Sequence, residues 1–216
     1  MFKKIREFFI VLSELRYLIT LMRYEFPRPD DNASLAHSFE ETVTKFGSNN
    51  FIYFENEAWT YNQTNEAANV LANRLIDDGV QHSDRVVLFM ENRPDFIISI
   101  LALNKIGAIG VLINTSLTGN PLIHCINSSD SKKCIVGAEL AASLEEVLDE
   151  INIKDKSDMY WVKDGNNYEC PEWASNLDSL LDTSKLTNLS ITDKVTAKDT
   201  AFYICLLYTS DAADEP

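Results

Sequence analysis

The stretch from Glu91 to Leu140, ENRPDFIISILALNKIGAIGVLINTSLTGNPLIHCINSSDSKKCIVGAEL, constrains the fold more than any other part of the chain. It reads as strand end, helix, strand, loop, helix and strand, with a punctuating residue at each joint. Pro94 sits just inside the first helix, where a missing N–H costs nothing and a fixed φ suits the start. That helix, Asp95 to Lys105, carries Phe96, Ile97, Ile98, Ile100, Leu101 and Leu103. A helix apolar nearly all round is expected to be deeply buried. Gly107 ends it. Ala108 to Ile113 is apolar without alternation, and Arg85 to Met90 is a similar β-rich run. Strands of that kind need cover on both faces. Alternation with helices makes the expected fold class α/β, a mostly parallel sheet covered by helices.

The flanking sequence extends this pattern. Ser34 to Phe46 reads as a helix with Leu35, Phe39 and Val43 on one face. Phe51 to Glu55 and Ala58 to Tyr61 read as a hairpin turning at Asn56-Glu57. Thr60 and Gln63 have the spacing of a capping box, in which each side chain satisfies an orphan donor at a helix start. The helix they open runs to Asp78 and stops at Gly79. Asn120-Pro121 opens another, and Lys133 to Val136 is a third strand. Further on, Ala138 to Glu150 reads as a helix, Met159 to Lys163 as a fourth strand, Trp173 to Leu181 as helical, and Thr200 to Ile204 as a last β-rich run. No internal repeat is visible.

A chain of 216 residues can bury the core of one large domain. Its formal net charge of −14 argues against a nucleic acid partner, because phosphate binding needs clustered Lys and Arg. Solubility accounts for the acidity. None of the cysteines, Cys125, Cys134, Cys170 and Cys205, lies in a CxxC, and the adjacent His124 and Cys125 cannot make a zinc site alone. They read as free thiols of a reducing compartment, with Cys125 and Cys134 as small core residues. There is no GxGxxG, Walker loop, HExxH or GxSxG.

Residues 1–24 differ from the body. They hold Lys3, Lys4, Arg6, Arg16 and Arg23 against Glu7 and Glu14, a basic end on an acidic chain. Ile5, Phe8, Leu12, Leu15, Ile19 and Met22 step by threes and fours along one helical stripe. Glu14 and Arg16 interrupt the apolar run, so it makes a poor membrane span, and no small-residue cleavage site marks a signal peptide. Three uses remain open for such a helix. It can lie on an anionic membrane surface, pair as a coiled coil, or pack on its own domain. Pro27 and Pro29 end it.

Several joints of the central stretch carry a family resemblance. Asn92-Arg93-Pro94 stands before the buried helix, and Gly107 to Val111 forms a Gly-hydrophobic strand. Leu112 to Leu117 follows as a loop, then Leu122 to Cys125, then Ile135 to Leu140 at a strand-to-helix joint. In order and spacing these resemble the N-terminal region of the fatty acid transport proteins, the very-long-chain acyl-CoA synthetases, within the AMP-forming synthetase superfamily. The resemblance implies a long- or very-long-chain fatty acid–CoA ligase that makes an acyl-adenylate and then an acyl-CoA. It further implies ATP, Mg2+ and coenzyme A as cofactors, a fatty acid substrate, and association with the cytoplasmic face of a membrane, with coupling to fatty acid uptake as a further expectation. Membrane contact through residues 1–24 fits that reading. Residues 25–204 then correspond to the first part of the large N-terminal domain of such enzymes.

The family's glycine-rich phosphate loop, resembling YTSGTTGxPK, follows a strand. Here Ala201 to Ile204 looks like that strand, and Tyr208-Thr209-Ser210 match the loop's opening letters. Asp211, Ala212 and Ala213 stand in place of Gly-Thr-Thr, and Asp214 and Glu215 add negative charge where phosphates belong. The tail 205–216 is therefore expected to be non-native, since CLLYTSDAADE is what a sequencing-library transposon adapter encodes when read through. The chain as written is expected to be an inactive N-terminal fragment with no catalytic, cofactor or metal residues of its own.

Asn92 and Asn114 each follow an apolar strand. They sit either at strand carboxyl ends, where doubly wound folds bind ligands, or simply as a helix cap and a turn residue. His124 reads as a packed or surface residue, and His37 and His82 show no partner in sequence. Two rival functions remain open: a CoA ligase for another carboxylate, such as a short-chain or carnitine-like acid, and a non-catalytic α/β module tethered to membrane or partner by residues 1–24.

Overall fold

A computed structural model describes residues 26–165 and 168–205. The first elements form a small unit. Helix α1 (Leu35–Phe46) is capped by Ser34, whose hydroxyl accepts from the His37 amide at 3.1 Å. Strands β1 (Asn50–Phe54) and β2 (Glu57–Thr60) pair antiparallel. Their turn is Glu55-Asn56, one residue earlier than the sequence suggests, because Phe54 pairs with Glu57 and Glu55 takes the positive φ of 50°. Such two-residue hairpins require positive φ in the loop. Helix α2 (Tyr61–Asp77) starts at the expected capping box, with both the Thr60 and Gln63 bonds present.

The main sheet has six parallel strands in the order β7-β6-β5-β3-β4-β8. These are β3 (Arg85–Phe89), β4 (Ile109–Leu112), β5 (Lys133–Gly137), β6 (Met159–Val162), β7 (Ser175–Asn176) and β8 (Phe202–Ile204). Helix α3 (Pro94–Lys105) crosses from β3 to β4, and helix α4 (Gly119–Ser128) from β4 to β5. Side chains alternate across each strand, so the core divides in two. Val86, Leu88, Ile135, Tyr160 and Val162 face one way with Leu71, Leu75, Ile98 and Leu101 of α2 and α3. Val87, Phe89, Val136, Met159 and Trp161 face the other way with Leu122, Cys125 and Ile126 of α4. The expected α/β sheet with helices on both faces is therefore what forms, and α3 is buried along Ile98, Leu101, Ala102 and Leu103.

Two expected helices are cut short. From Ala138 the chain makes a 3-10 turn to Leu140 and then only helix α5 (Ala141–Glu145). Glu145, Glu146, Asp149 and Glu150 crowd what would be its last turns, where negative charge opposes the helix dipole. Leu144, Val147 and Ile151 still reach the core. The segment 173–181 is not one helix. Ser175 and Asn176 pair with β6, and the Asn176 side chain accepts from the Asp178 amide at 3.1 Å to start a 3-10 turn, Leu177–Leu180. Asn side chains offer the backbone this alternative to a helix.

A strap, residues 182–199, then runs back beside α2. Asn188 Oδ1 accepts from Asn65 and Asn69 of that helix at 2.8 and 3.0 Å. β8 lies beside β4 at the sheet edge with all three of its residues exposed.

Candidate functional site at the carboxyl edge of the sheet

β3 and β5 are neighbours whose onward connections diverge, one through α3 to β4 and the other through α5 to β6. In doubly wound sheets this switch point opens a crevice at the carboxyl ends of the strands. Here a cluster of four charged side chains, Arg93, Glu139, Asp95 and Asp164, fills it. The Glu91 amide, just past β3, donates to Glu139 Oε1 at 2.7 Å, just past β5. Arg93, the N-cap of α3, is buried, and its guanidinium lies 3.4 Å from Glu139, 3.3 Å from Asp95 and 3.3 Å from Asp164. Its Nη2 also donates to the Val162 carbonyl at 3.2 Å. Arg93 Nε sits near Asp95 without hydrogen-bond alignment. Burial pushes the Asp95 carboxyl above the usual range, and the nearby guanidinium pulls it back. Gly137 makes room for this cluster, because a Cβ there would lie 2.2 Å from the Glu139 carboxylate.

Beside the cluster lies a cavity of about 400 Å3 that brings Asn92 and Asn114 together, lined also by Glu91, Thr115, Phe96 and Ile113. Both asparagines are exposed. Asn92 is not the helix cap, since Arg93 holds that position. Asn114 makes a turn, its Oδ1 accepting from the Ser116 amide at 3.0 Å. Next to it β8 delivers the chain to the same edge, with the Cys205 amide donating to the Leu112 carbonyl at 3.2 Å.

The remaining candidates lie elsewhere. His82 is at the amino edge, 3.3 Å from Asp199 and 2.9 Å from the Ser83 hydroxyl, where it packs against Gly107. His37 lies 3.6 Å from Glu41 on the same helix. His124 is exposed, 3.4 Å from the Ser128 hydroxyl. Burial pushes the Cys134 thiol up to about 12, and burial with a bond to Cys205 does the same for Cys125. Neither is a thiolate nucleophile near neutral pH. Among the described residues no group of three or more His, Cys, Asp or Glu could hold a metal ion, and no helix is long and apolar enough to cross a membrane. The segment 1–24 and the loop-like Tyr208-Thr209-Ser210 lie outside the described residues.

Arg93 and Glu139 lie within the Asn92-Arg93-Pro94 and Ile135 to Leu140 joints, but reading these as joints does not show that the two residues pair. An arginine set between an apolar strand and an apolar helix was the available signal, because a charge there must be paired.

A parallel sheet with helices on both faces and a switch-point cleft at the carboxyl ends of its strands is the architecture of doubly wound α/β folds. The sequence profile of AMP-binding enzymes matches residues 39–210, and the chain belongs to that family. It is 29% identical over 143 residues to long-chain fatty acid transport protein 6 of Mus musculus, covering 66% of this chain and 23% of the relative. It is 29% identical over 177 residues to the medium/long-chain-fatty-acid–CoA ligase FadD6 of Mycobacterium tuberculosis, covering 82% and 28%. A crystal structure of the long-chain-fatty-acid–CoA ligase FadD1 from Archaeoglobus fulgidus superposes with a TM-score of 0.62 at 19% identity, covering 84% of this chain and 36% of that one, and so shares the fold. The chain thus spans about a quarter of the length of these curated relatives.

Among the described residues, those at the carboxyl edge do not fit an ATP triphosphate. The carboxyl-edge cavity is lined by Glu91 and carries no Lys or Arg. The one buried cation beside it, Arg93, is already neutralised by carboxylates. Polyphosphate needs free cations and convergent N–H groups, and no step of nucleotide chemistry follows from these side chains.

Proposed function

We propose that the chain is the amino-terminal part of a long- or very-long-chain fatty acid–CoA ligase of the AMP-forming type. The observation that carries this reading is the family match over residues 39–210, joined to relatives whose names are those of fatty acid transport proteins and fatty acid ligases. The whole enzyme joins a fatty acid to ATP with release of pyrophosphate, then passes the acyl group to coenzyme A, with Mg2+ at the phosphates. The part described here supplies the scaffold: β3, β4 and β5 with their cleft, and β8 aimed at the carboxyl edge. The enzyme works at the cytoplasmic face of a membrane, held there by residues 1–24, and coupling to fatty acid uptake belongs to the same reading.

The test is pyrophosphate release with ATP, magnesium and oleate or a longer acid. A chain continued past Ile204 with a YTSGTTG-type loop is expected to turn over only when fatty acid is present. The 216 residues as written are expected to give background only, since Asp211, Asp214 and Glu215 stand where phosphates belong. Failure of the continued, folded chain would reject the ligase assignment. Turnover by the chain as written would reject its proposed inactivity.

A further inference from the structure

We propose that a second cavity, between α2, α3 and residues 177–186, binds an amphiphile with an alkyl body and a protonated amine head. This site lies on the helix-covered face of the sheet and does not depend on the ligase reading. The cavity is about 400 Å3, within the range of small-molecule sites. Its wall is apolar: Trp59, Val70, Leu71 and Ile98, with Val162 and Leu181. Burying alkyl groups against such a wall is favourable in proportion to the area removed from water.

The head group follows from the charges. Three carboxylates line the cavity, Glu66, Asp95 and Asp178, and no Lys or Arg does. Glu66 and Asp178 are exposed and stand at the mouth of the cavity. Burial raises the Asp95 carboxyl most, and Asp178 and Asp164 add to that effect. Arg93, 3.3 Å from Asp95, pulls the other way more strongly than Asp178 pushes, but does not line the cavity. A cation at the mouth relieves the repulsion, whereas a fatty acid's carboxylate adds to it. The apolar body and the acidic mouth therefore select an alkylammonium over an alkanoate of equal length. An exposed charge pair is worth up to about fivefold in affinity, so two or more carboxylates are expected to give a preference of about tenfold.

Isothermal titration of the 216-residue chain at pH 7 with decylammonium and with decanoate tests this. Decylammonium is expected to bind saturably at one site, about tenfold more tightly than decanoate, with the preference shrinking as salt rises. Ala67→Trp, which fills the cavity from α2, is expected to abolish binding. Glu66→Gln with Asp178→Asn alters two exposed residues outside the Arg93 pairs, and is expected to erase the preference while leaving alkyl binding in place. Equal affinity for the two ligands overturns the proposal, as does undiminished binding by a folded Ala67→Trp chain. Should Ala67→Trp lose its circular dichroism, the carboxylate variant decides alone, and an unchanged amine preference there overturns the assignment of the head group.

Discussion

The Tyr160 hydroxyl donates to the Asp78 carboxylate, which the Arg74 guanidinium grips from within helix α2. Asp78 is the C-cap of that helix, where a negative charge opposes the dipole. Arg74 and Tyr160 offset this and tie the end of α2 to the centre of β6. Burial, reinforced by the bond to Asp78, holds the Tyr160 phenol above its ordinary pKa. A raised phenol pKa leaves the folded state holding a proton that the unfolded chain releases above about pH 10. Stability from this group is thus full below that pH and falls as pH rises beyond it. Tyr160→Phe keeps the ring but removes a bond to a charged acceptor, at a cost of about 1.5–3 kcal/mol. In urea titrations the variant is expected to be less stable at pH 7 and to lose less on going to pH 11.

Lys105 ends α3 with a fully buried side chain and pairs with Glu40 of α1. Burial pushes the ammonium below its ordinary pKa, and Glu40 counters this. A lowered lysine pKa means that the unfolded chain binds more protons just below about pH 10.4. The contribution of Lys105 to stability therefore rises with pH through that window. Glu40→Ala strands the charge, with an expected loss of about 3–5 kcal/mol. Lys105→Met removes the fully buried charge and keeps the volume, leaving unpaired only the Glu40 carboxylate, which reaches solvent, and is expected to cost less. Chemical denaturation of both variants checks the order, and an equal loss would mean that the pair is packing rather than charge.

The elements read correctly from sequence were those decided locally. The Thr60–Gln63 box lies within one helical turn, and the apolar runs of β3, β4 and β5 name their own burial. Arg93 and Glu139 meet only because β5 returns to the far side of β3 after β4, a strand order that no local pattern encodes. The same holds for Asn188, which finds Asn65 and Asn69 through a strap with no periodicity of its own. The helix expected over Ala138 to Glu150 kept its apolar spacing and lost its length, because Leu144, Val147 and Ile151 pack equally well from turns. Asn92 and Asn114 were placed at the carboxyl edge by the pattern of strands, but their side chains show only a cavity wall and a turn.

The crevice cluster makes a prediction about coupling. At Gly137 an added methyl meets the end of the Glu139 side chain, which must swing off the Glu91 amide and Arg93, so Gly137→Ala is expected to cost about 1–3 kcal/mol. In a Glu139→Ala background the obstacle is gone, and the same substitution is expected to be nearly free. The difference between the two costs is the interaction energy, expected at about 1 kcal/mol or more for residues in direct contact. Additive costs in a double-mutant cycle would show that Glu139 is not what Gly137 accommodates.

Residues 1–24 make the last prediction. In the helix expected from their spacing, Ile5, Phe8, Leu12, Leu15, Ile19 and Met22 would form an apolar stripe in a segment that also carries five basic residues. Each Lys or Arg near an anionic bilayer contributes about 1 kcal/mol at physiological salt, and the stripe adds burial at the acyl boundary. A synthetic 1–24 peptide is expected to co-sediment with phosphatidylserine-containing vesicles, to be recovered less with phosphatidylcholine alone, and to be released in part by high salt. The acidic remainder of the chain should be repelled by the same vesicles, so replacing Lys3, Lys4 and Arg6 by Gln is expected to free the full chain from them. Equal recovery of the peptide with and without vesicles would instead assign the stripe to packing on the domain or to pairing with a second helix.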